Sequence, residues 1–285
     1  MPTNREIYFS LLKENNKYLT RNVIKSLISD VNGFDDDMAL YKNFDMDCLN
    51  IEKLNNYISK VKQGEPYQYV LGYSYFIGRQ FNVDSNVLIP RQETEDLVFG
   101  TKHFIDKYYS DKDIILADVC AGSGCIGLSL KMYFPNANIY LCDYKDKCID
   151  IVKNNAKLHG LKVNTFIGDM VEPLIKNKIK LDCLVCNPPY IEDVSTIDEQ
   201  VWKYEPHDAL IANPKTTFYE KVLKHADEIM NANCIIAFEL GEDMEEEISV
   251  LIEKYMPTAA YKIAKDMYNK IRFAYIIRRE DMNYA

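Results

Sequence analysis

Beyond Glu93 the chain alternates short apolar runs with amphipathic stretches. Runs of aliphatic and β-branched residues at 114–118, 138–143, 163–167, 181–186 and 234–240 have the length and continuity of buried strands. Between them the spacing turns helical. One helix runs from a glycine-rich turn to about Phe134, a second covers 146–158 with Gly160 as its stop, and a third covers 243–256. Residues 260–264 and 272–277 read as closing strands. Strand, loop and helix in repetition predict the α/β class, with an open, mostly parallel sheet and right-handed crossovers. In such sheets ligands sit beyond the C-terminal ends of the strands, where the strand order switches.

The first 71 residues have a different texture, with amphipathic segments punctuated by Asn, Asp and Gly. Thr20 stands where it can cap a helix carrying Val23, Ile24, Leu27, Ile28 and Val31, and Gly33 stops it. A second helix places Ile51, Leu54, Ile58 and Val61 on one face before Gly64 and Pro66. A small helical bundle is expected here, a packing or partner-docking module. Residues 73–91 are rich in aromatic and β-branched residues, with Gly78 and Asp84-Ser85-Asn86 as turn candidates, and predict a hairpin. The expected division is therefore a helical domain over 1–72, a hairpin linker over 73–92 and an α/β domain over 93–285.

Composition narrows the function. At 285 residues, with 47% hydrophobic and 27% charged, the chain has ample material for a core, which excludes disorder and collagen-like repeats. A formal charge of −9 runs against tight, sequence-blind nucleic-acid binding, so no direct nucleic-acid partner is expected. No apolar run reaches membrane-spanning length, and no apolar signal region follows the first residues, so a cytoplasmic protein is expected. The eight cysteines are scattered and several lie in apolar runs, which suits reduced thiols. Cys183 and Cys186 form a C-x-x-C inside a strand, so their thiols should point to opposite faces rather than share a metal or a disulfide. His103, His159, His207 and His225 share no ligand spacing with one another or with the cysteines, so no metal is expected. His207 is expected on the surface or behind the site. The acidic run 242–247 reads as the first turn of a helix.

Candidate chemistry follows the strands. After the first comes Cys120-Ala121-Gly122-Ser123-Gly124, continuing to Gly127 as G-x-G-x-x-G. Small residues let the backbone approach a ligand, and the helix behind offers unpaired N–H groups. The second strand ends in Asp143, 19 residues beyond Gly124, where a carboxylate can accept both ribose hydroxyls. An adenosine-containing cofactor is implied, with NAD and S-adenosylmethionine both open. Asn187-Pro188-Pro189-Tyr190, after the fourth strand, decides between them. Two prolines make a rigid extended turn with carbonyls free to face a ligand. The Asn187 Oδ1 and the Pro188 carbonyl suit the two protons of a planar –NH₂ group, and Tyr190 offers an aromatic face to the substrate or to a sulfonium cation.

These motifs resemble the class I S-adenosylmethionine-dependent N-methyltransferases. Three further stretches resemble one family within them: Gly64-Glu65-Pro66-Tyr67-Gln68-Tyr69-Val70-Leu71-Gly72, Leu88-Ile89-Pro90-Arg91-Gln92-Glu93-Thr94-Glu95, and Tyr204-Glu205-Pro206 followed by Ala209-Leu210. The chain is similar to the HemK/PrmC glutamine methyltransferases from about residue 60 onward. Cys120 and Ala121 stand where that family usually carries Gly-Thr, and Gln92 replaces a proline. The resemblance implies a Rossmann-like seven-stranded methyltransferase sheet and methylation of the Gly-Gly-Gln glutamine of peptide chain release factors, modulating termination, by a monomer. It implies that Cys120, Ala121, Gly122, Ser123 and Gly124 wrap the methionine part of the cofactor. Asp143 would hold the ribose, Met170 would line the adenine pocket, and Asn187 would touch the cofactor as well. Asn187, Pro188, Pro189 and Tyr190 would hold the glutamine amide, with Asn187, Pro188 and Tyr190 catalytic. An amide nitrogen is a poor nucleophile, so orientation and an acceptor cage must supply most of the catalysis. The alternatives are a glutamine methyltransferase of a large-subunit ribosomal protein, an adenine-N6 nucleic-acid methyltransferase, and an idle cofactor-binding scaffold. The charge and the L-I-P-R stretch argue against the nucleic-acid enzyme.

Overall fold

The computed structural model describes residues 1–35, 37–109 and 113–280. The chain divides into two compact units, one of Met1–Ser74 with Asp198–Tyr204, the other of Tyr75–Ile197 with Glu205–Ala285.

The first unit is helical: α1 (Asn4–Leu12), α2 (Arg21–Asn32), α3 (Asp37–Lys42), α4 (Ile51–Lys62) and α5 (Tyr67–Leu71). Thr20 caps α2 by accepting the Val23 N–H, and Gly33 ends it at φ 69°, as the spacing predicts. The apolar stripes of α2 and α4 meet in a core that includes Ile24, Leu27, Ile28, Leu54 and Val61, all but sealed from solvent. Each such side chain contributes roughly 1.5–3 kcal/mol. The late segment Asp198–Tyr204 belongs to this unit: Gln200 Nε2 donates to the Gly64 carbonyl at 2.9 Å and the Tyr204 hydroxyl to the Gln63 carbonyl at 3.0 Å.

The chain leaves this unit through a two-stranded sheet of β1 (Tyr73–Phe76) and β2 (Arg79–Asn82). The hairpin turns at Ile77 and Gly78, both at positive φ, the geometry a two-residue turn needs to match strand twist. Asp84-Ser85-Asn86 is a second turn, closed by the Asp84 carboxylate on the Asn86 N–H at 2.8 Å.

In the second unit α6 (Glu93–Tyr108) precedes β3 (Ile115–Val119), α7 (Cys125–Tyr133), β4 (Asn138–Asp143), α8 (Asp146–Leu158), β5 (Asn164–Ile167), α9 (Glu172–Lys176) and β6 (Leu181–Cys186). After α10 (Glu199–Tyr204), which packs with the helical unit, come α11 (Thr217–Lys224), α12 (Ala226–Ile229), β7 (Met230–Glu239), α13 (Glu245–Tyr255), β8 (Ala260–Lys265) and β9 (Ile271–Arg278). The seven strands β3–β9 form one sheet in the order β5-β4-β3-β6-β7-β9-β8. Six of these strands run in one direction and β9 runs against them, between β7 and β8. Of the acidic run, Glu245, Glu246 and Glu247 form the first turn of α13, while Glu242 and Asp243 lie in the turn before it. Two apolar cores cover the two faces of the sheet, and Cys183 belongs to one and Cys186 to the other, so the C-x-x-C thiols do point apart. All eight cysteines are free thiols.

The order reverses at β3: the chain moves outward through β4 and β5, then returns to add β6 on the other side. Register makes this junction useful. Val119 lies beside Cys142 on one side and Cys186 on the other, and Cys186 lies beside Phe238. The next residues, Cys120, Asp143, Asn187 and Glu239, therefore emerge in a row at one edge of the sheet.

Candidate active site

Directly above that edge lies a cleft of about 890 Å³, its open mouth included. Its walls carry Cys120, Ala121, Gly122, Ser123, Asp143, Met170, Asn187 and Pro189, all singled out by sequence. Gly124, Pro188 and Tyr190 do not line it. Gly124 turns beneath the loop at φ 79°, where a Cβ would press on Leu128, Leu141 and Val152, each at 3.2 Å. Pro188 is buried in the turn.

The glycine loop is held by the strand next door. Ala121 donates its N–H to the Cys142 carbonyl at 3.0 Å, and Gly122 donates to Asp143 Oδ2 at 2.9 Å. The other Asp143 oxygen accepts the Lys145 N–H at 3.1 Å. Each oxygen keeps acceptor capacity, so the carboxylate can serve the loop and a ligand diol together. Space around Gly122 is open: a Cβ there would meet nothing within 4 Å. Asn155 is fully buried and ties the loop to β2, donating to the Ser123 and Asn82 carbonyls and accepting the Asn82 N–H. Two non-glycine residues here adopt left-handed backbone, Cys120 at φ 62° and Met170 at φ 48°, and their sulfurs touch at 3.4 Å. Such conformations carry strain that the surroundings must hold in place.

The Asn-Pro-Pro turn is braced from behind. Asn187 Nδ2 donates to Thr94 Oγ1 at 3.3 Å, and the Thr94 hydroxyl donates to Glu239 Oε2 at 2.7 Å. The Tyr190 hydroxyl points to Glu239 Oε1 at 3.5 Å, and its ring packs against the core. Burial, helped by the Glu239 charge, pushes the Tyr190 phenol well above its ordinary value, so it stays protonated. Beyond the turn, Ile191 pairs with Ile211 in a short parallel bridge.

The remaining wall comes from the L-I-P-R stretch and the segment after Tyr204. Glu205 is buried, accepts the Ile89 N–H at 3.1 Å and pairs with Arg91 Nη2 at 2.6 Å. Lys145 pairs with Asp208 at the mouth. His207 is exposed on a short 3₁₀ turn (His207–Ala209) and does not line the cleft.

Thr94 and Glu239 escaped the sequence analysis as site residues, although Thr94 lies inside a quoted motif. The rule that chemistry follows the strands would have pointed to Glu239, at the end of β7.

Fold and site together define an α/β methyltransferase, and residues 94–209 match the family model described as Methyltransferase small domain. A release factor glutamine methyltransferase of Bacillus cereus is 34% identical over 227 residues, 79% of this chain and 80% of the relative. Another, from Staphylococcus aureus, is 33% identical over 234 residues, covering 81% and 82%. The chain belongs to the release factor glutamine methyltransferase family. Its fold is also that of the hMettl16 catalytic domain, solved in complex with MAT2A 3'UTR hairpin 6, with TM-score 0.55 and 13% identity over 72% of this chain and 77% of that one. Among the described residues no helix is long and apolar enough to cross a membrane.

Proposed function

We propose that the protein transfers the methyl group of S-adenosylmethionine to the side-chain amide nitrogen of the Gly-Gly-Gln glutamine in peptide chain release factors. The observation that carries this reading is the placement of the Asn187 carboxamide in one cleft with the glycine loop and Asp143. When bound, the cofactor supplies a methyl group activated by its sulfonium. The chain's own residues fit it: a bare backbone at Gly122, a carboxylate with spare acceptor capacity at Asp143, and an apolar wall at Met170.

Asn187 Oδ1, on the cleft wall, accepts one amide proton of the glutamine, and the carbonyl of Pro188, whose ring is buried behind that wall, is assigned the other, turning the nitrogen toward the methyl donor. Holding both protons on acceptors favours positive charge on nitrogen as the new bond forms, and the rigid turn presents them without reorganisation. Tyr190 braces the turn through Glu239. No strong base is needed, because a methylated amide cation loses its proton to water.

In this reading residues 1–72 dock the release factor, 73–92 link the domains, and 93–285 carry out the transfer, in a monomer of the cytoplasm. The family relatives carry the same substrate in their names. Mass spectrometry after incubation with S-adenosylmethionine and a purified release factor tests it. One added methyl on the Gly-Gly-Gln glutamine is expected. It should be absent when that glutamine is Ala, and slowed by roughly 10²–10³-fold with Asn187→Ala enzyme. An unmodified release factor together with intact cofactor binding would reject the substrate and keep the fold.

A further inference from the structure

We propose that Glu239, acting through Thr94, is the positioning residue that decides which end of the Asn187 carboxamide faces the reaction cleft. The inference deepens the proposed function and rests on it for the role of Asn187.

A carboxamide has two ends of similar size and opposite hydrogen-bonding sense, so its orientation must be imposed by a neighbour. Register places Glu239 next to Asn187 across β6 and β7. Thr94, from α6, bridges them at 2.7 and 3.3 Å. An ionised carboxylate only accepts, so Thr94 must spend its one proton on Glu239. Its oxygen then has only lone pairs for Asn187, which selects the Nδ2 end. Asn187 Oδ1 is left for the cleft, as an acceptor for a substrate amide. A protonated Glu239 reverses the chain: it can donate to Thr94, Thr94 to Oδ1, and the –NH₂ then faces the cleft.

A threonine in a helix commonly satisfies itself on its own backbone, as Thr101 does on the Leu97 carbonyl at 2.7 Å. Thr94 is committed instead to a carboxylate 145 residues away. Glu239 is 3% exposed. Its facing cation is Arg272 on β9 and its facing like charge is Glu93 on α6. Tyr190, Tyr219, Tyr275 and Cys125 are within its electrostatic reach and are kept neutral by burial. Burial raises the Glu239 carboxyl to about 7 and the Glu93 charge adds to the rise. The hydrogen bond from Thr94, the Arg272 charge and a direct interaction with the Asn187 side chain, which favours the same Nδ2-inward orientation, oppose it. The ionised, correctly polarised form therefore predominates above neutrality and is lost as pH falls.

Four measurements test this: kcat on the release factor, cofactor affinity by calorimetry, the pH profile, and the Asn187 side-chain NH₂ signals in ¹H–¹⁵N spectra. Thr94→Val is expected to lower kcat by roughly 10- to 100-fold with cofactor affinity unchanged, and Thr94→Ser to restore it. Wild-type kcat should fall below about pH 7, and the Asn187 signals should shift over the same range. Both pH effects should vanish in Glu239→Gln. Wild-type kcat in Thr94→Val, a parallel loss of cofactor affinity, or a pH effect persisting in Glu239→Gln would each overturn the proposal. The spectra need no substrate, so they decide this point even if wild-type enzyme fails to methylate release factors.

Discussion

Asp118 is sealed from solvent at the end of β3, beneath the glycine loop. One oxygen accepts the Gly127 N–H at 2.8 Å, and the other has no hydrogen-bond partner among the described residues. Burial pushes the carboxyl up to about 7; the Gly127 hydrogen bond opposes the rise and the nearby Asp143 charge adds to it. The folded value lies above the unfolded one, so between about pH 4 and 7 the native state holds a proton that the unfolded state has released. The contribution of Asp118 to stability therefore falls as pH rises through that window, by at most about 1.4 kcal/mol per pH unit. Asp118→Asn keeps the acceptor for Gly127 and removes the titration. Leaving the new Nδ2 unpartnered carries a constant cost, so the informative quantity is the stability difference from wild type at two pH values. Urea unfolding should show that difference moving in favour of Asn by roughly 2–4 kcal/mol between pH 4 and pH 8. A difference independent of pH would mean that Asp118 is ionised throughout.

At the scale of elements, local periodicity carried much of the information. Helix α8 falls on the predicted 146–158 and β6 on 181–186, and α2 has the predicted cap and stop. Those segments bury one stripe or two faces, and their apolar spacing records it. Helices α6 and α11 are not among the elements the apolar spacing predicts; the first turn of α6 coincides with the L-I-P-R stretch. The loop and the Asn-Pro-Pro turn were visible for the same local reason: each is a run of neighbours with unusual backbone demands. The bracing behind them was not visible. Thr94–Glu239 spans 145 residues and Arg91–Glu205 spans 114, and neither partner has a pattern of its own. Gly127 shows how one element sits on another. A Cβ there would lie 2.8 Å from Asp118 Cβ and 3.0 Å from Leu141. In an open helix alanine would be favoured over glycine by about 1 kcal/mol. Here Gly127→Ala must push α7 away from β3, and a net loss of roughly 1–3 kcal/mol is expected, with weaker cofactor binding because α7 begins at the loop. Thermal unfolding and calorimetric titration measure both effects. An alanine variant as stable as wild type would show that α7 can shift without penalty.

At the scale of the molecule, charge bears on how a protein partner is found. The chain carries 43 Asp and Glu against 34 Lys and Arg, a surplus of nine negative charges. Many of its ion pairs join exposed side chains, such as Arg5 with Asp45 and Lys270 with Glu242, and each adds little to stability. The unpaired remainder sets a field that reaches about 10 Å at 0.1 M salt and steers an oppositely charged partner before contact. A release factor that offers a positive face to this acidic chain is steered in this way, and the proposed reaction is expected to be. Rate constants at the bottom of the cleft depend on contact distances and low local polarity, which salt barely touches. Raising salt from about 50 to 300 mM should therefore increase KM for the release factor several-fold and leave kcat nearly constant. A short uncharged peptide carrying Gly-Gly-Gln should show a high KM that does not respond to salt. If KM for the intact factor is equally indifferent, docking is carried by apolar contact instead, and the exposed side chains of the helical unit, Phe9 and Tyr41 among them, become the surface to mutate.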